Sequence, residues 1–289
     1  MDYILKENEP MSLHTTFKVG GPAKKYIKPL SEEGLTNLLY KMNEEGEAYI
    51  VIGNGSNLLV SDKGIDGVVV EIGDGLSDIV ITDNTIYAGA GARLSSVAKA
   101  AADAGLSGLE FASGIPGSVG GAVYMNAGAY GGEMKDCVKS VKVFKESSVS
   151  VIDGEKMGFS YRHSIAMEED MIVIGATFVL SHDDKDKIFE RMNDFNSRRR
   201  EKQPLELPSA GSTFKRPEGY FAGKLIMDAG LSGASVGGAM VSPKHCGFVV
   251  NTGDATASDI YNLIQNVKAE VMKQFGVELE PEVKMFGEF

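Results

Sequence analysis

The chain has 289 residues, of which 35 are Gly, and its charged (24%) and hydrophobic (43%) fractions are ordinary for a soluble globular protein. Lys and Arg total 29 against 40 Asp and Glu. The resulting formal charge of −11 argues against a general binder of nucleic acid or anionic membranes, because such binders need a basic face. The glycines follow no Gly-X-Y period and are accompanied by only 9 Pro, which excludes collagen and low-complexity sequence. The excess Gly therefore belongs in tight turns or where the backbone approaches something closely.

Two cysteines, Cys137 and Cys246, form no Cys-x-x-Cys pair, so neither a disulfide scaffold nor a zinc cluster is expected. Residues 1–4 lack the basic and apolar regions of a signal peptide. The stretch from Phe111 to Gly132 has no charged residue, but it contains seven Gly and one Pro. It therefore has too few strongly apolar residues for a membrane helix. We therefore expect a cytoplasmic protein with no membrane insertion and no nucleic-acid partner.

The spacing of apolar and turn-forming residues predicts the elements of the first 182 residues. In chain order they are a helix with Ser31 as its N-cap and Gly46 as its stop, short strands at 48–52, 58–60, 68–72 and 85–88, a helix at 94–102 stopped by Gly105, a hairpin of 138–144 with 149–152, and a buried strand at 171–180.

From Asp183 onward the residue pattern of the sequence changes. The pattern there predicts a charged helix ending in the basic run 198–202, a loop marked by Pro204 and Pro208, and a helix capped near Thr256 or Ser258. We therefore predict an α+β protein of two domains, residues 1–182 and residues 183–289.

Two Gly clusters follow predicted strands. Gly53-Asn54-Gly55-Ser56-Asn57 could turn its amides into a nest for a pyrophosphate, or it could be a hairpin turn, since Asn-Gly favours hairpins. The run 89–94 partly matches the Gly-x-Gly-x-x-Gly fingerprint of dinucleotide-binding folds, but Leu94 occupies the third Gly position. The preceding sequence also predicts a meander of short strands, so we reject a Rossmann site.

The third cluster, residues 114–122, is nearly devoid of side-chain bulk. We expect that it builds no core of its own and is either ligand-contacting backbone or a flexible loop. A flexible loop of this length would carry more charge, so contact with a ligand is favoured.

Common catalytic constellations are missing from the sequence. The four His have no metal-ligand spacing, and neither a nucleophile elbow with a triad nor a Walker sequence occurs. Three polar motifs in Gly-marked loops remain: Tyr161-Arg162-His163-Ser164, the run 210–217 and Glu280-Pro281-Glu282-Val283. Each alone is better explained as a surface Arg, a turn Ser or a solvated Glu.

The order in which the motifs occur is more informative than any one of them. They are Thr15-Thr16-Phe17 with Gly20-Gly21-Pro22-Ala23, residues 53–60, residues 89–91, residues 114–122, residues 126–131, Tyr161-Arg162-His163-Ser164, residues 209–215, residues 222–226, His245 with Asn251, and residues 279–283. In this order, and over nearly the whole chain, the sequence resembles the UDP-N-acetylenolpyruvoylglucosamine reductase family, flavoenzymes that make UDP-N-acetylmuramate for bacterial peptidoglycan.

The resemblance implies a vanillyl-alcohol-oxidase-like FAD-binding domain of two α+β subdomains plus a smaller α+β substrate-binding domain. It implies non-covalent FAD and NADPH as the co-substrate that reduces it. The implied FAD-binding residues are Gly53, Asn54, Gly55, Ser56, Asn57, Ile115, Pro116, Gly117, Ser118, Gly120, Gly121 and Arg199.

The resemblance also implies the chemistry. Hydride would pass from the flavin to the vinyl carbon of the UDP-sugar, Ser212 would protonate the resulting enolate, Arg162 would stabilise its charge, and Glu282 would assist at the substrate carboxylate. Lys202, Arg216 and His245 match positions that bind the diphosphate and sugar of the substrate.

The sequence departs from the family pattern at two places. Ser232 stands where Lys is more usual, and about seven residues separate Ser164 from Met171, which leaves no room for the Tyr-bearing loop of the longer branch. The chain thus resembles the short branch. Two other functions stay open: another FAD-dependent oxidase or dehydrogenase of the same fold, and a non-catalytic flavin- or UDP-sugar-binding module.

Overall fold

A computed structural model describes residues 2–289, which form six α-helices and eighteen β-strands joined by turns and short 3₁₀ segments. The helices are α1 (Glu32–Glu45), α2 (Leu94–Asp103), α3 (Val119–Tyr124), α4 (Lys185–Lys202), α5 (Ala222–Asp228) and α6 (Ala257–Phe275). The strands are β1 (Tyr3–Pro10), β2 (Pro22–Pro29), β3 (Tyr49–Ile52), β4 (Leu58–Val60), β5 (Ile65–Glu71), β6 (Ile79–Thr82), β7 (Thr85–Gly89), β8 (Leu106–Ser107), β9 (Gly128–Ala129), β10 (Gly132–Glu133), β11 (Val138–Lys145), β12 (Ser148–Asp153), β13 (Ile172–Val179), β14 (Ser181–His182), β15 (Ser235–Val236), β16 (Ala239–Val241), β17 (Val249–Asn251) and β18 (Lys284–Phe286).

The strands form three larger sheets and three two-stranded ribbons. The sheet orders are β1-β2-β5-β3, β12-β11-β13-β7-β6 and β15-β16-β17, and the ribbons pair β9 with β10, β8 with β14 and β4 with β18. The five-stranded sheet is antiparallel throughout, whereas β3 with β5 and β4 with β18 are parallel pairs.

The chain divides into two compact units that interleave along the sequence. The first comprises the described residues up to Lys6, Tyr26–Asn54 and Val68–Arg199, and the second comprises Glu7–Lys25, Gly55–Gly67 and Arg200–Phe289. The boundary after residue 182 that the sequence suggested stays a prediction about functional domains.

Helix caps chosen from the sequence are confirmed. Ser31 accepts a hydrogen bond from the Gly34 amide at 3.0 Å, and Gly46 ends α1 in the left-handed region at φ 66°. Helix α6 is preceded by its N-cap Thr256, whose hydroxyl and the Asp259 carboxylate form a capping box.

Each unit has its own hydrophobic core. The helices α1 and α2 and the five-stranded sheet contribute to the first core, and α5, α6 and the β15-β16-β17 sheet contribute to the second. Helix α3 buries Val119, Ala122 and Val123 in the first core. The flexible-loop alternative is therefore wrong for residues 119–122, which belong to a buried helix. Gly120 lets this helix lie close to the backbone of Ala90.

Cys137 and Cys246 are buried free thiols, and burial raises the pKa of Cys137 to about 12.

Within residues 2–289, no helix combines the length and apolarity needed to cross a membrane.

A buried carboxylate fixes α4 to the segment before α3. Glu110 is 8% exposed and accepts hydrogen bonds from Arg191 (2.7 Å), the Gly108 amide (2.7 Å) and the Ser107 hydroxyl (2.9 Å). Burial alone raises the pKa of Glu110, but these hydrogen bonds outweigh it and hold the pKa below its ordinary 4.5. Arg191 also pairs with Asp183 at 2.7 Å.

Because the folded pKa lies below the unfolded value, the stabilisation by Glu110 is complete above pH 4.5 and is lost as the pH falls through the folded pKa. We expect Glu110→Gln to lower the free energy of unfolding by about 1–3 kcal/mol near neutral pH. The melting temperatures of the wild type and of Glu110→Gln, measured between pH 7 and pH 3, should converge as the pH falls. The control Asp103→Asn breaks exposed ion pairs with Lys99 and Lys185 and should change the melting temperature much less. A gap that stays constant across this pH range would contradict the assignment.

Candidate active site

The loop Gly53–Asn57 is not a hairpin turn. It joins β3 to β4, but β3 pairs with β5 and β4 pairs with β18, so the hairpin alternative is wrong. Gly55 has φ 61°, and a Cβ at this position would lie 1.8 Å from the His14 carbonyl oxygen, so no other residue fits there.

Backbone amides in this loop and in the third Gly cluster are left without internal acceptors. Within residues 2–289, the amides of residues 54–57 and those of Gly117, Ser118 and Gly121 donate to no other residue. Neighbouring amides with no acceptor, carried by small residues, suit the oxygens of a diphosphate. Both loops thus fit the pyrophosphate of a dinucleotide.

The first unit brings the start of one loop against the other. A Cβ built at Gly53 would lie 2.5 Å from the Ser118 hydroxyl oxygen, so the missing side chain is what allows the two segments to approach. Ser118 itself is buried and precedes α3. By contrast, the tight approaches of Gly89 and Gly91 are to the backbone of Leu76 and Gly73, which gives that second cluster a packing role.

This contact makes a specific prediction. Gly53→Ala should reduce FAD retention at least about tenfold, because the new methyl group forces the loops apart. The double variant Gly53→Ala/Ser118→Ala should recover much of the loss, since the same Cβ would lie an acceptable 3.7 Å from the Ser118 Cβ. Flavin content after gel filtration measures both. If the second substitution rescued nothing, the contact would not explain the loss.

Arg199 lies on the face of α4 that packs against the third Gly cluster. A Cβ built at Gly114 would lie 3.0 Å from Arg199 Nη1 and 2.6 Å from Asn196 Oδ1, and Asn196 also donates to the Ser113 hydroxyl at 3.2 Å. Partial burial lowers the pKa of Arg199. Arg199 therefore lies against Gly114, and its role in binding FAD stays a prediction. Arg198 instead forms a helical ion pair with Asp194 at 2.7 Å.

Arg162 is presented on a two-residue turn in the first unit. Ser160 and His163 exchange backbone hydrogen bonds of 3.1 and 3.2 Å, and Arg162 between them has φ 56°. A left-handed conformation costs a residue with a Cβ about 1–2 kcal/mol, and such outliers cluster at functional sites. The guanidinium donates to the Gly128 carbonyl at 3.4 Å and lies over the Tyr161 ring at 5.2 Å.

In the second unit, Ser212 and Glu282 lie on neighbouring backbone segments. Thr213, next to Ser212, donates from its amide to Gly247 at 2.8 Å and accepts from the Glu282 amide at 2.8 Å. The fully buried Thr213 hydroxyl accepts from the Val249 amide at 2.9 Å. Ser212 itself is exposed and Glu282 is half-buried.

The same segment connects back to the first Gly loop. The Asn57 amide side chain donates to the Glu282 carbonyl at 3.0 Å, and the Lys284 amide donates to the Asn57 carbonyl at 2.9 Å. Asn57 therefore ties the predicted cofactor loop to the segment that carries Glu282 and leads into β18.

His245 is placed close to this segment by two glycines. Cβ atoms built at Gly223 and Gly247 would lie 3.4 and 3.0 Å from its Cε1 atom. Its Nδ1 accepts from the Gly247 amide at 3.2 Å, which places the proton of the neutral ring on Nε2, and burial lowers its pKa. A neutral His245 can donate from Nε2 at physiological pH.

Two predicted substrate-binding cations differ in their surroundings. The Arg216 guanidinium lies over the exposed Phe221 ring at 4.7 Å, at the start of α5. Lys202 is an exposed residue at the end of α4.

Sequence reasoning missed several residues that hold these groups in place. Thr213 and Asn126 were quoted within motifs but received no role, and Phe221 lies outside every motif quoted. The signal for Asn126 was its amide inside a charge-free stretch, since a buried polar side chain needs hydrogen-bond partners.

Comparison with known proteins decides the family. Residues 203–286 match the C-terminal domain of UDP-N-acetylenolpyruvoylglucosamine reductase, and residues 23–151 match an FAD binding domain. The reductase of Agathobacter rectalis is 55% identical over 298 residues, covering 99% of this chain and 95% of that protein. The chain belongs to the UDP-N-acetylenolpyruvoylglucosamine reductase family.

Further relatives agree. The reductase of Lachnoclostridium phytofermentans is 52% identical, with 97% of this chain and 92% of that protein covered. The crystal structure of the reductase from Thermus caldophilus superposes with a TM-score of 0.84 at 36% identity, covering 98% of this chain and all of that one. The predicted α+β, vanillyl-alcohol-oxidase-like fold with FAD as cofactor is thereby confirmed. The individual site residues stay predictions.

Proposed function

We propose that this chain reduces the enolpyruvyl group of UDP-N-acetylenolpyruvoylglucosamine to give UDP-N-acetylmuramate, a peptidoglycan precursor, with NADPH as reductant. Its reductase relatives and its FAD-binding domain support this function. The geometric observation that supports it is the hydrogen bond from the Glu282 amide to the Thr213 carbonyl, which pairs the backbone segment of the predicted acid Ser212 with the segment of Glu282.

Bound FAD would supply the hydride-transfer chemistry that connects NADPH to the vinyl carbon of the substrate. The chain's own groups handle binding and proton movement. The free amides of the two Gly loops hold the cofactor diphosphate, and Arg199 adds positive charge beside them.

Substrate reduction leaves negative charge next to the substrate carboxylate and requires one proton. Ser212 donates that proton from its hydroxyl to the carbon that carries the charge. The guanidinium of Arg162 offsets the charge, and Glu282 polarises the carboxylate. Arg216 and His245 bind the diphosphate and sugar, with Lys202 as a further cation. The reaction takes place in the cytoplasm without nucleic acid or membrane insertion.

Anaerobic stopped-flow absorbance tests the function. NADPH should bleach the yellow protein, and the enolpyruvyl UDP-sugar should then restore the flavin colour. Bleaching without restoration would instead support a different flavin dehydrogenase, and no response to either compound would support a binding module. Acid denaturation should release the colour into the supernatant, because the flavin is held non-covalently; a yellow pellet would contradict that.

A further inference from the structure

Asn126 is a buried amide at the centre of a hydrogen-bond network in the first unit. Its side chain has no exposed surface, and its backbone is left-handed at φ 45°. Its Nδ2 donates to the Glu133 carboxylate at 2.6 Å and to the Ser160 carbonyl at 2.9 Å. Its Oδ1 accepts from the Lys135 amide at 3.0 Å. Its three side-chain hydrogen bonds thus reach two neighbouring segments.

One of these segments is the turn that carries Arg162. Ser160, which accepts from Asn126, is the first residue of that turn and is joined to His163 by two backbone hydrogen bonds. Asn126 therefore fixes the base of the strained turn from which the Arg162 side chain extends.

The other segment is the ribbon of β9 and β10. Gly128 in β9 pairs with Glu133 in β10, and the carbonyl of Gly128 accepts from Arg162 Nη2 at 3.4 Å. Because Asn126 bonds to Glu133 and lies two residues before Gly128, it organises the ribbon that holds the guanidinium end. One amide thus restrains both the backbone and the charged head of Arg162.

We propose that Asn126 is the positioning residue for Arg162, setting the orientation of its guanidinium for charge stabilisation during substrate reduction. The inference rests on the proposed function. Charge stabilisation depends on groups that are already oriented when the charge develops. A misplacement of about 1 Å costs about 10²-fold in rate.

Two variants test this in the FAD-loaded protein. Asn126→Gly keeps the left-handed backbone and removes the amide, while Asn126→Asp keeps the size but cannot donate to Ser160. Each should slow reoxidation of the flavin by the enolpyruvyl substrate about 10²-fold and leave its reduction by NADPH within about twofold. Asp83→Gly, at an exposed left-handed turn between β6 and β7, is the control and should change neither rate.

A double-mutant cycle separates positioning from general stability. If Asn126 acts through Arg162, then Asn126→Gly should add less than about threefold to the loss caused by Arg162→Ala. Losses that multiply, or Asn126 variants with wild-type reoxidation, would overturn the proposal. Should Asn126→Gly fail to fold, the cycle is run with Asn126→Asp. Failure of the wild-type protein to turn over the substrate would instead reject the proposed function, and it is scored before any variant.

Discussion

Replacing Ser212 with Ala is expected to slow reduction of the enolpyruvyl substrate by about 10²–10⁴-fold, the usual contribution of a positioned proton donor. The change removes only the hydroxyl oxygen from an exposed side chain, whose backbone stays fixed because Thr213 is held by Gly247 and Glu282. Folding and flavin content should therefore be unchanged. Single-turnover stopped flow, with NADPH and substrate added in sequence, isolates the affected step.

Flavin reduction by NADPH is the internal control for this variant, because it needs no proton from Ser212. Ser209→Ala, three residues upstream in the same segment, is a matched control that should leave both steps unchanged. A loss of less than about tenfold in the substrate step would remove Ser212 from the role of proton donor.

The second large effect is expected at Arg162, where activity and stability should move in different directions. Arg162→Gly removes the guanidinium and should slow substrate reduction by about 10²–10³-fold, as for other lost groups that stabilise developing charge. Gly accepts the left-handed conformation of this turn, so the free energy of unfolding should stay level or rise by up to about 1 kcal/mol.

Thermal melts and the stopped-flow rates check the two halves of this prediction together. Arg162→Lys keeps the charge but loses the planar guanidinium and should be impaired to an intermediate degree. If Arg162→Gly lost its flavin while the remaining holoenzyme turned over normally, Arg162 would have a structural role instead.

Local rules predicted local features well. Ser31 and Gly46 were identified as helix caps from their side chain and φ preference, and the structure has them there. For the last helix the sequence offered Thr256 or Ser258, and the structure has Thr256 as the N-cap. The hairpin of β11 and β12 followed from two apolar runs close in sequence. These features depend on interactions within a few residues, which a single sequence displays.

Features that depend on distant partners were not predictable. The pairing of β4 with β18 joins segments more than two hundred residues apart, and neither short strand shows which partner it takes. Helix α3 was missed because its glycines oppose helix formation, while its burial against distant elements stabilises it. For the site, the resemblance named Arg162, Ser212 and Glu282. Only the folded structure shows that Asn126 holds the turn of Arg162 and that Thr213 holds the segment of Ser212.

The bond between Asn57 and residues 282–284 has a consequence for how the protein is made. The predicted cofactor loop is synthesised early, yet two of the hydrogen bonds that fix it involve the Glu282 carbonyl and the Lys284 amide. This part of the loop cannot reach its final geometry until those residues have left the ribosome, and closing so long a loop is slow. Nascent chains halted before Glu282 should therefore capture FAD poorly, which makes cofactor loading a late step of biogenesis.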